Sequence, residues 1–224
     1  MRLTEKEALI LYSAQLRANA PVSSLRKTTG YREHTIRYAI NTAQRSGLIR
    51  AGCFVNLCLL GFTHYEVYFS LSSERNFSRE HLLKALIASE KVSWVGDLGG
   101  EYHYGLNLCV RNVQEVSDFL EQLSSSLGLC YLEKAFAARL ALSFFGNKYL
   151  APRKLTPGKL SYSTTYERIQ IDETDHRIMR EIVRAGEKSR RDIARSIALP
   201  FSTVENRIKK LEQQKVIVGY YYQL

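Results

Sequence analysis

Two segments near opposite ends of the chain combine cations with hydrogen-bonding side chains at helical spacing. The first offers Arg32, His34, Thr35, Arg37, Tyr38, Asn41 and Arg45, and the second offers Ser202, Thr203, Asn206, Arg207, Lys209 and Lys210. On a helix, such side chains can bond base edges in the major groove of double-stranded DNA, while later arginines and lysines meet phosphates. The alternative is that both segments are solvated helix faces of a protein-binding domain.

The charge of the chain is unevenly distributed. The formal net charge is +10 over 224 residues. Residues 1–62 hold nine basic and three acidic residues, residues 63–147 hold seven and ten, and residues 148–224 hold sixteen and nine. A merely solubilising surface does not need this segregation, whereas a polyanion-binding module at each end does. The sequence therefore predicts two basic modules around a mildly acidic middle.

The residues that most often carry catalysis or metals are scattered. The four cysteines form no C-x-x-C pair, which predicts free, buried thiols in a reducing cytoplasm. The sequence contains no phosphate loop, G-x-S-x-G or H-E-x-x-H motif, so we expect no enzyme activity, no cofactor and no metal. No apolar run is long enough to span a bilayer, and Met1 to Glu7 lead into no secretory signal, which favours a cytoplasmic protein without membrane contact.

The two basic ends repeat one pattern when residue i is set against residue i+168. The alignment needs no gap, and the residues at the core positions are apolar in both copies. Examples are Ile10 and Ile178, Ile36 and Val204, and Ile40 and Ile208. Each copy, residues 1–56 and 171–224, is predicted to fold as three helices and a strand, with Thr4 and Glu7 capping the first helix. That order is typical of a winged helix-turn-helix domain, whose third helix enters the major groove. We interpret Tyr220 to Tyr222 as a wing strand rather than a stacking platform.

The second copy carries a motif with a specific spacing. Ile171-Asp172-x-x-Asp175, Arg207-Ile208-x-x-Leu211-Glu212 and Ile217-x-Gly219-Tyr220 resemble the DNA-binding domain of leucine-responsive (Lrp/AsnC) regulators. The first copy departs from this pattern, with Ala39 at the arginine and Ala43 at the leucine. The resemblance implies a transcription regulator that binds double-stranded DNA, responds to a small effector such as an amino acid, and forms a homodimer or a higher even oligomer.

Residues 57–146 alternate strand and helix patterns in the order βαββαβ, which is ferredoxin-like. One segment resembles the turn near the effector site of the same family: Gly99, Gly100, Glu101, Tyr102 and His103. The alternative is an ordinary hairpin turn with positive φ. Residues 147–170 lack periodicity and are predicted to be a basic linker. The expected fold class is α+β, with two winged helix-turn-helix domains flanking a ferredoxin-like sensing and dimerisation domain.

Two other functions stay open. The first copy, whose pattern has drifted, could be a protein-interaction or dimerisation module instead of a DNA reader. Sirohaem decarboxylases also resemble this family, and in that case His103 would be the residue that holds or protonates a porphyrin substrate.

Overall fold

The computed structural model describes residues 3–72, 78–150, 158–184 and 189–224. The chain divides into two compact units. The winged-helix unit contains the described residues of 1–56, 142–162 and 169–224, and the sheet unit contains those of 57–141 and 163–168. Both helices and strands are present, so the α+β class is confirmed.

The winged-helix unit holds the two predicted copies. The first contains α1 (Glu5–Ala14), α2 (Val22–Thr29), α3 (Glu33–Arg45) and β1 (Arg50–Val55). The second contains α6 (Glu173–Arg184), α7 (Arg190–Ser196), α8 (Phe201–Gln213) and β8 (Ile217–Gln223). Both ends of α3 and α8 and the starts of the other helices match at a shift of 168 residues, so one fold is used twice. The sequence Ala185-Gly186 predicts the end of the first helix of the second copy, and both residues lie outside the described residues.

Helix caps and buried apolar side chains explain these elements. The predicted capping box is present at the start of α1, where Thr4 and Glu7 exchange hydrogen bonds. Asp172 and Asp175 exchange the same pair of bonds before α6. Each copy then buries its apolar stripe, and removal of that surface from water is the main stabilising term. The aligned core positions include Ile10, Leu25, Ile36 and Ile40 in one copy and Ile178, Ile193, Val204 and Ile208 in the other.

The two copies are joined by their strands. β1 and β8 pair antiparallel, with Arg50 opposite Gln223 and Cys53 opposite Tyr220. Tyr220 to Tyr222 therefore lie in a strand, as predicted. The chain thus forms, within itself, a sheet to which each copy contributes one strand.

The segment predicted to be a linker is partly ordered into a sheet. β6 (Ala141–Phe145) pairs with β7 (Lys159–Ser163), so the linker prediction for 147–170 is wrong at β7, and Leu142 to Gly146 group with the winged-helix unit rather than with the sensing domain. Aromatic rings hold this pair in place: the centroid of Phe144 lies 4.6 Å from that of Tyr221, and that of Tyr162 lies 5.3 Å from that of Phe54. Pro152 and Pro157, which also favour a linker, lie outside the described residues.

The sheet unit has the predicted ferredoxin-like arrangement. Its elements are β2 (Thr63–Leu71), α4 (Arg79–Ala88), β3 (Val92–Asp97), β4 (Tyr104–Val110), α5 (Val113–Leu127) and β5 (Tyr131–Ala138). The strands are antiparallel in the order β3-β4-β2-β5. Alternate residues of β2 and β4 form one core with α4 and α5, including Val67, Phe69, Leu106, Leu82 and Phe119. In the part of the chain that the structure describes, none of the helices meets the length and hydropathy needed to cross a membrane.

Candidate nucleic-acid interface

The third helix of the first copy presents one continuous polar stripe. His34, Arg37, Tyr38, Asn41 and Arg45 are all exposed, at spacings of three and four residues along α3. Tyr38 is 72% exposed although its ring is apolar. Arg37 contacts Glu33 at 3.4 Å, but both side chains are solvated, so this i,i+4 pair leaves the arginine available. Of the other predicted residues, Arg32 is the exposed N-cap of α3 and Thr35 is half-buried.

The third helix of the second copy has a similar stripe. Ser202, Asn206, Lys209 and Lys210 are exposed on α8, and Thr203 is half-buried. Lys209 is paired with Glu205 at 3.2 Å and keeps more than half of its side chain in solvent. The structure therefore brings the predicted residues of each copy together on one helix face, with one exception.

That exception is Arg207, whose guanidinium is held by two carboxylates. Its Nη1 atom donates to Asp172 at 2.6 Å and to Asp175 at 3.0 Å, and Asp175 is buried. The hydrogen bond from Arg207 lowers the pKa of the Asp172 carboxyl below its ordinary value. We therefore correct the role expected of Arg207: its charge is used to fasten α8 to the start of α6 rather than offered to a phosphate.

A second ion-pair cluster fastens α8 to α7, and sequence analysis missed it. Arg190 contacts Glu205 at 2.9 Å and Glu212 at 2.8 Å, and the hydroxyl of Tyr220 donates to Glu212 at 2.9 Å. Burial, followed by the charge of Glu212, raises the pKa of Tyr220. Glu212 and Tyr220 both belong to the motif that carries the family resemblance, which is the signal that could have indicated their contact.

The segment predicted to bind an effector connects β3 to β4. Gly100 has φ of +104°, and the backbone closes where Leu98 N–H donates to the His103 carbonyl at 2.8 Å. Glu101 and His103 are exposed, while the ring of Tyr102 lies 6.1 Å from that of Tyr68. The geometry fits the hairpin interpretation, with Gly99 and Gly100 exposed at its tip. Effector binding by these residues stays a prediction.

A polar network crosses the sheet unit. His64 Nδ1 lies 2.8 Å from Asn107 Oδ1, and Asn107 Nδ2 donates to Glu66 at 2.7 Å. Ser93 donates to Asn107, and Arg139 forms an ion pair with Glu66. His64 is buried, and this desolvation lowers its pKa from the ordinary value of 6.5. The network is satisfied within itself, which indicates a structural role.

The cysteines differ from one another in environment. All four are free, as expected, but Cys130 is exposed and only Cys58 is fully buried, so the prediction that all four are buried is wrong. Burial raises the pKa of Cys53 to about 12 and that of Cys109 to about 11, which keeps both as unreactive thiols at neutral pH. Within the described ranges, His, Cys, Asp and Glu form no cluster that could hold a metal ion.

Comparison with known proteins places these observations in context. Residues 171–218 match a family model described as winged helix-turn-helix DNA-binding. No curated protein matches the sequence significantly. Among solved structures, an AsnC family regulator from Agrobacterium tumefaciens is 16% identical with a TM-score of 0.50, and covers 61% of this chain and 89% of its own. A regulator from Neisseria meningitidis, solved in complex with L-Met, is 15% identical with a TM-score of 0.53, and covers 62% of this chain and 90% of its own.

A structure of the sirohaem decarboxylase NirDL, in complex with an iron-uroporphyrin III analogue, covers more of this chain. It is 14% identical with a TM-score of 0.63, and covers 98% of this chain and 66% of its own. The chain thus spans just under two thirds of that enzyme. At these identities the likeness establishes the fold, and the fold is that of Lrp/AsnC-type proteins. The same scaffold carries both regulators and a decarboxylase.

Proposed function

We propose that this protein is a cytoplasmic transcription regulator of the Lrp/AsnC type that binds double-stranded DNA through α3 and α8. The observation that carries the proposal is the exposed stripe of cations and hydrogen-bonding groups that each third helix carries. A protein-binding winged helix would not need cations on both copies. The family model matched by residues 171–218 supports DNA binding by the second copy.

The residues divide between bases and backbone. Side chains in the first turns of the helices approach base edges, whereas later cations meet phosphates. We assign His34, Thr35, Ser202, Thr203 and Asn206 to bases, and Arg37, Arg45, Lys209 and Lys210 to phosphates. Arg32, Tyr38 and Asn41 complete the first stripe. Arg207 stays out of this assignment because Asp172 and Asp175 hold it.

The pairing of β1 with β8 bears on assembly. One chain already contains two third helices in one unit. We infer a homodimer or a higher even oligomer, which would present four reading heads to an operator with paired half-sites about one helical turn apart. The turn Gly99 to His103 is our candidate for effector contact in the sheet unit, and the L-Met complex of the Neisseria meningitidis regulator supports an amino-acid-like effector.

Selection of bound fragments from random duplex DNA tests this function. At low salt, we expect the chain to enrich a common sequence with two half-sites. Recovery of no duplex above background would contradict the proposal. Enrichment that survives charge reversal of Arg37 and Arg45, but not of Lys209 and Lys210, would make the first copy the interaction module and leave DNA reading to the second.

A sirohaem decarboxylase-like enzyme is the second candidate, because the NirDL structure covers 98% of this chain while the two regulators above cover 61% and 62%. His103 is the candidate residue, and it is exposed in the β3–β4 turn. Incubation of the purified protein with sirohaem distinguishes the two functions. For a regulator we expect no shift of the porphyrin absorption and no release of carbon dioxide; release of carbon dioxide that is lost in His103→Ala would establish the enzyme.

A further inference from the structure

The winged-helix unit contains a pocket of about 510 Å³ between its two copies. This volume is within the usual range for small-molecule sites. The apolar part of the lining includes Val22, Leu25, Ile40, Ile182, Ile193 and Ile208. Its charged and amide side chains are Arg17, Asn19, Arg37, Asn41, Gln44 and Arg190. No acidic side chain is among the described residues that line it.

The lining is built from equivalent positions of the two copies. Leu25 and Ile193 are 168 residues apart, as are Ile40 and Ile208, and all four line the pocket. The pocket thus lies where the repeated domains face each other, next to the pairing of β1 with β8. A single winged helix would not form it.

The two copies contribute opposite charge patterns to this pocket. In the second copy, Arg190 is neutralised by Glu205 and Glu212. At the positions aligned with those glutamates, the first copy has Arg37 and Gln44. On the first copy's side, a cation and an amide thus replace the two carboxylates. Both side chains donate hydrogen bonds, and these two positions contribute no negative charge to the pocket.

The cations on that side are only weakly engaged. Arg37 contacts the solvated Glu33 at 3.4 Å, and Arg17 donates to the hydroxyl of Thr28 at 3.3 Å. Both arginines therefore keep N–H donors that can form charge-assisted bonds to an anion, which are among the strongest hydrogen bonds available to a ligand. The apolar residues around them would cover a hydrocarbon or aromatic body.

We propose that this pocket binds a small organic anion: one carboxylate, sulfonate or phosphate group held by Arg17 and Arg37, with an apolar body packed against Leu25, Ile40 and Ile193. This site is separate from the turn Gly99 to His103. Arg37 and Asn41 also belong to the polar stripe of α3. An anion bound in the pocket would therefore contact residues that we assign to DNA binding. That coupling rests on the proposed function; the binding site itself does not.

Fluorescence titration with 8-anilinonaphthalene-1-sulfonate tests the site, because this probe joins one sulfonate to an apolar aromatic body. We expect one probe per full-length chain. The double variant Arg37→Glu/Gln44→Glu gives the first copy the acidic pair of the second, and we expect at least tenfold weaker binding, which is about 1.4 kcal/mol. The control Arg45→Glu/Gln213→Glu adds the same charges on α3 and α8 outside the lining and should bind the probe as the parent does.

A second variant keeps the test independent of charge. Ala20 lines the pocket, and Ala20→Phe should exclude the probe by filling space, with thermal unfolding checked against the parent. If Ala20→Phe fails to fold, Arg17→Ala replaces it in the test. We expect this variant to bind the probe more weakly than its control Arg26→Ala does. Unchanged probe affinity in the lining variants, or no binding by the parent, would overturn the site. If the parent protein binds the probe but no DNA, the proposed function is overturned and the pocket proposal stands.

Discussion

The two winged-helix copies hold their third helices by different means. In the second copy, α8 is fastened by Arg207 to the start of α6 and by Glu205 and Glu212 to Arg190 on α7. In the first copy, the position aligned with Arg207 is Ala39, which is buried among apolar residues. One fold therefore tolerates an ionic or an apolar attachment of the same helix. A cation on a third helix is therefore not by itself a DNA contact.

This difference also changes what each helix can offer to a polyanion. Ion pairs within the second copy engage Arg207 and Arg190, and Glu205 also contacts Lys209. On the first copy, Arg37 pairs with the solvated Glu33, and Arg45 is exposed at the end of α3. We therefore expect α3 to contribute as much to phosphate neutralisation as α8 does, although its sequence matches the family motif less well.

The largest effect that we predict is the salt dependence of DNA binding. If Arg37, Arg45, Lys209 and Lys210 each displace a condensed counterion, affinity for a selected duplex should fall about a hundredfold between 50 and 200 mM salt. Removal of the cations of one copy should halve the slope of log affinity against log salt. Fluorescence anisotropy measures the affinity at each salt concentration. If removal of the cations of one copy abolishes the salt dependence and removal of those of the other leaves it unchanged, the two helices do not contribute equally.

A smaller effect concerns the ionic attachment of α8. Arg207→Ala leaves the buried Asp175 without its cation, and we expect the free energy of unfolding to fall by about 1–3 kcal/mol. Arg37→Ala, on the exposed face of α3, is the matched control and should change it by less than about 0.5 kcal/mol. Urea denaturation compares the two. Equal losses would mean that Arg207 is no more structural than Arg37.

The Arg190 cluster should contribute less, because its side chains are partly solvated. For Arg190→Met, which keeps the apolar stem, we expect a loss of about 1 kcal/mol, with Arg191→Met at an exposed neighbouring position as the control. Val22 occupies the aligned position of the first copy, so Val22→Ala measures the apolar counterpart of the same attachment. A result in which Arg190→Met stabilises the protein would show that desolvation outweighs the pairing.

The smallest effect is a pH dependence in the sheet unit. Burial lowers the pKa of His64 in the folded chain, so the unfolded chain binds more protons as the pH falls below 6.5. Stability from this residue is therefore complete above pH 6.5 and declines below it, until the folded pKa is reached. Thermal unfolding at pH 7.5 and 5.5 should show a smaller shift in His64→Gln than in the parent. His176→Gln, an exposed histidine, should leave the shift unchanged.

Much of the fold could be predicted because it depends on local periodicity and on the repeat. The apolar stripes give the helices, and the shift of 168 residues gives both copies. β7 was missed although Lys159 to Ser163 alternate between more exposed and more buried side chains, because the strand has only five residues and residues 146–158 separate it from its partner β6. Pairing between such segments leaves little local trace.

The site was predictable where helical spacing decides it. His34, Tyr38, Asn41 and Arg45 follow the helical period, and the structure places them on one face. The same spacing could have excluded Arg207, which follows Val204 by three residues and precedes Leu211 by four, and both of those are buried. The pocket between the copies could not be predicted, because it depends on the pairing of β1 with β8 and on which side chains that pairing brings together.

Binding of one selected duplex by two charge-reversed variants tests whether both third helices contact DNA. Arg37→Glu/Arg45→Glu and Lys209→Glu/Lys210→Glu remove the phosphate contacts of α3 and α8, and Lys84→Glu on the exposed face of α4 is the control for a basic residue outside the stripes. We predict that each double variant loses at least tenfold in affinity at 100 mM salt while Lys84→Glu binds as the parent does. Parental affinity in both double variants would contradict DNA binding by the two third helices.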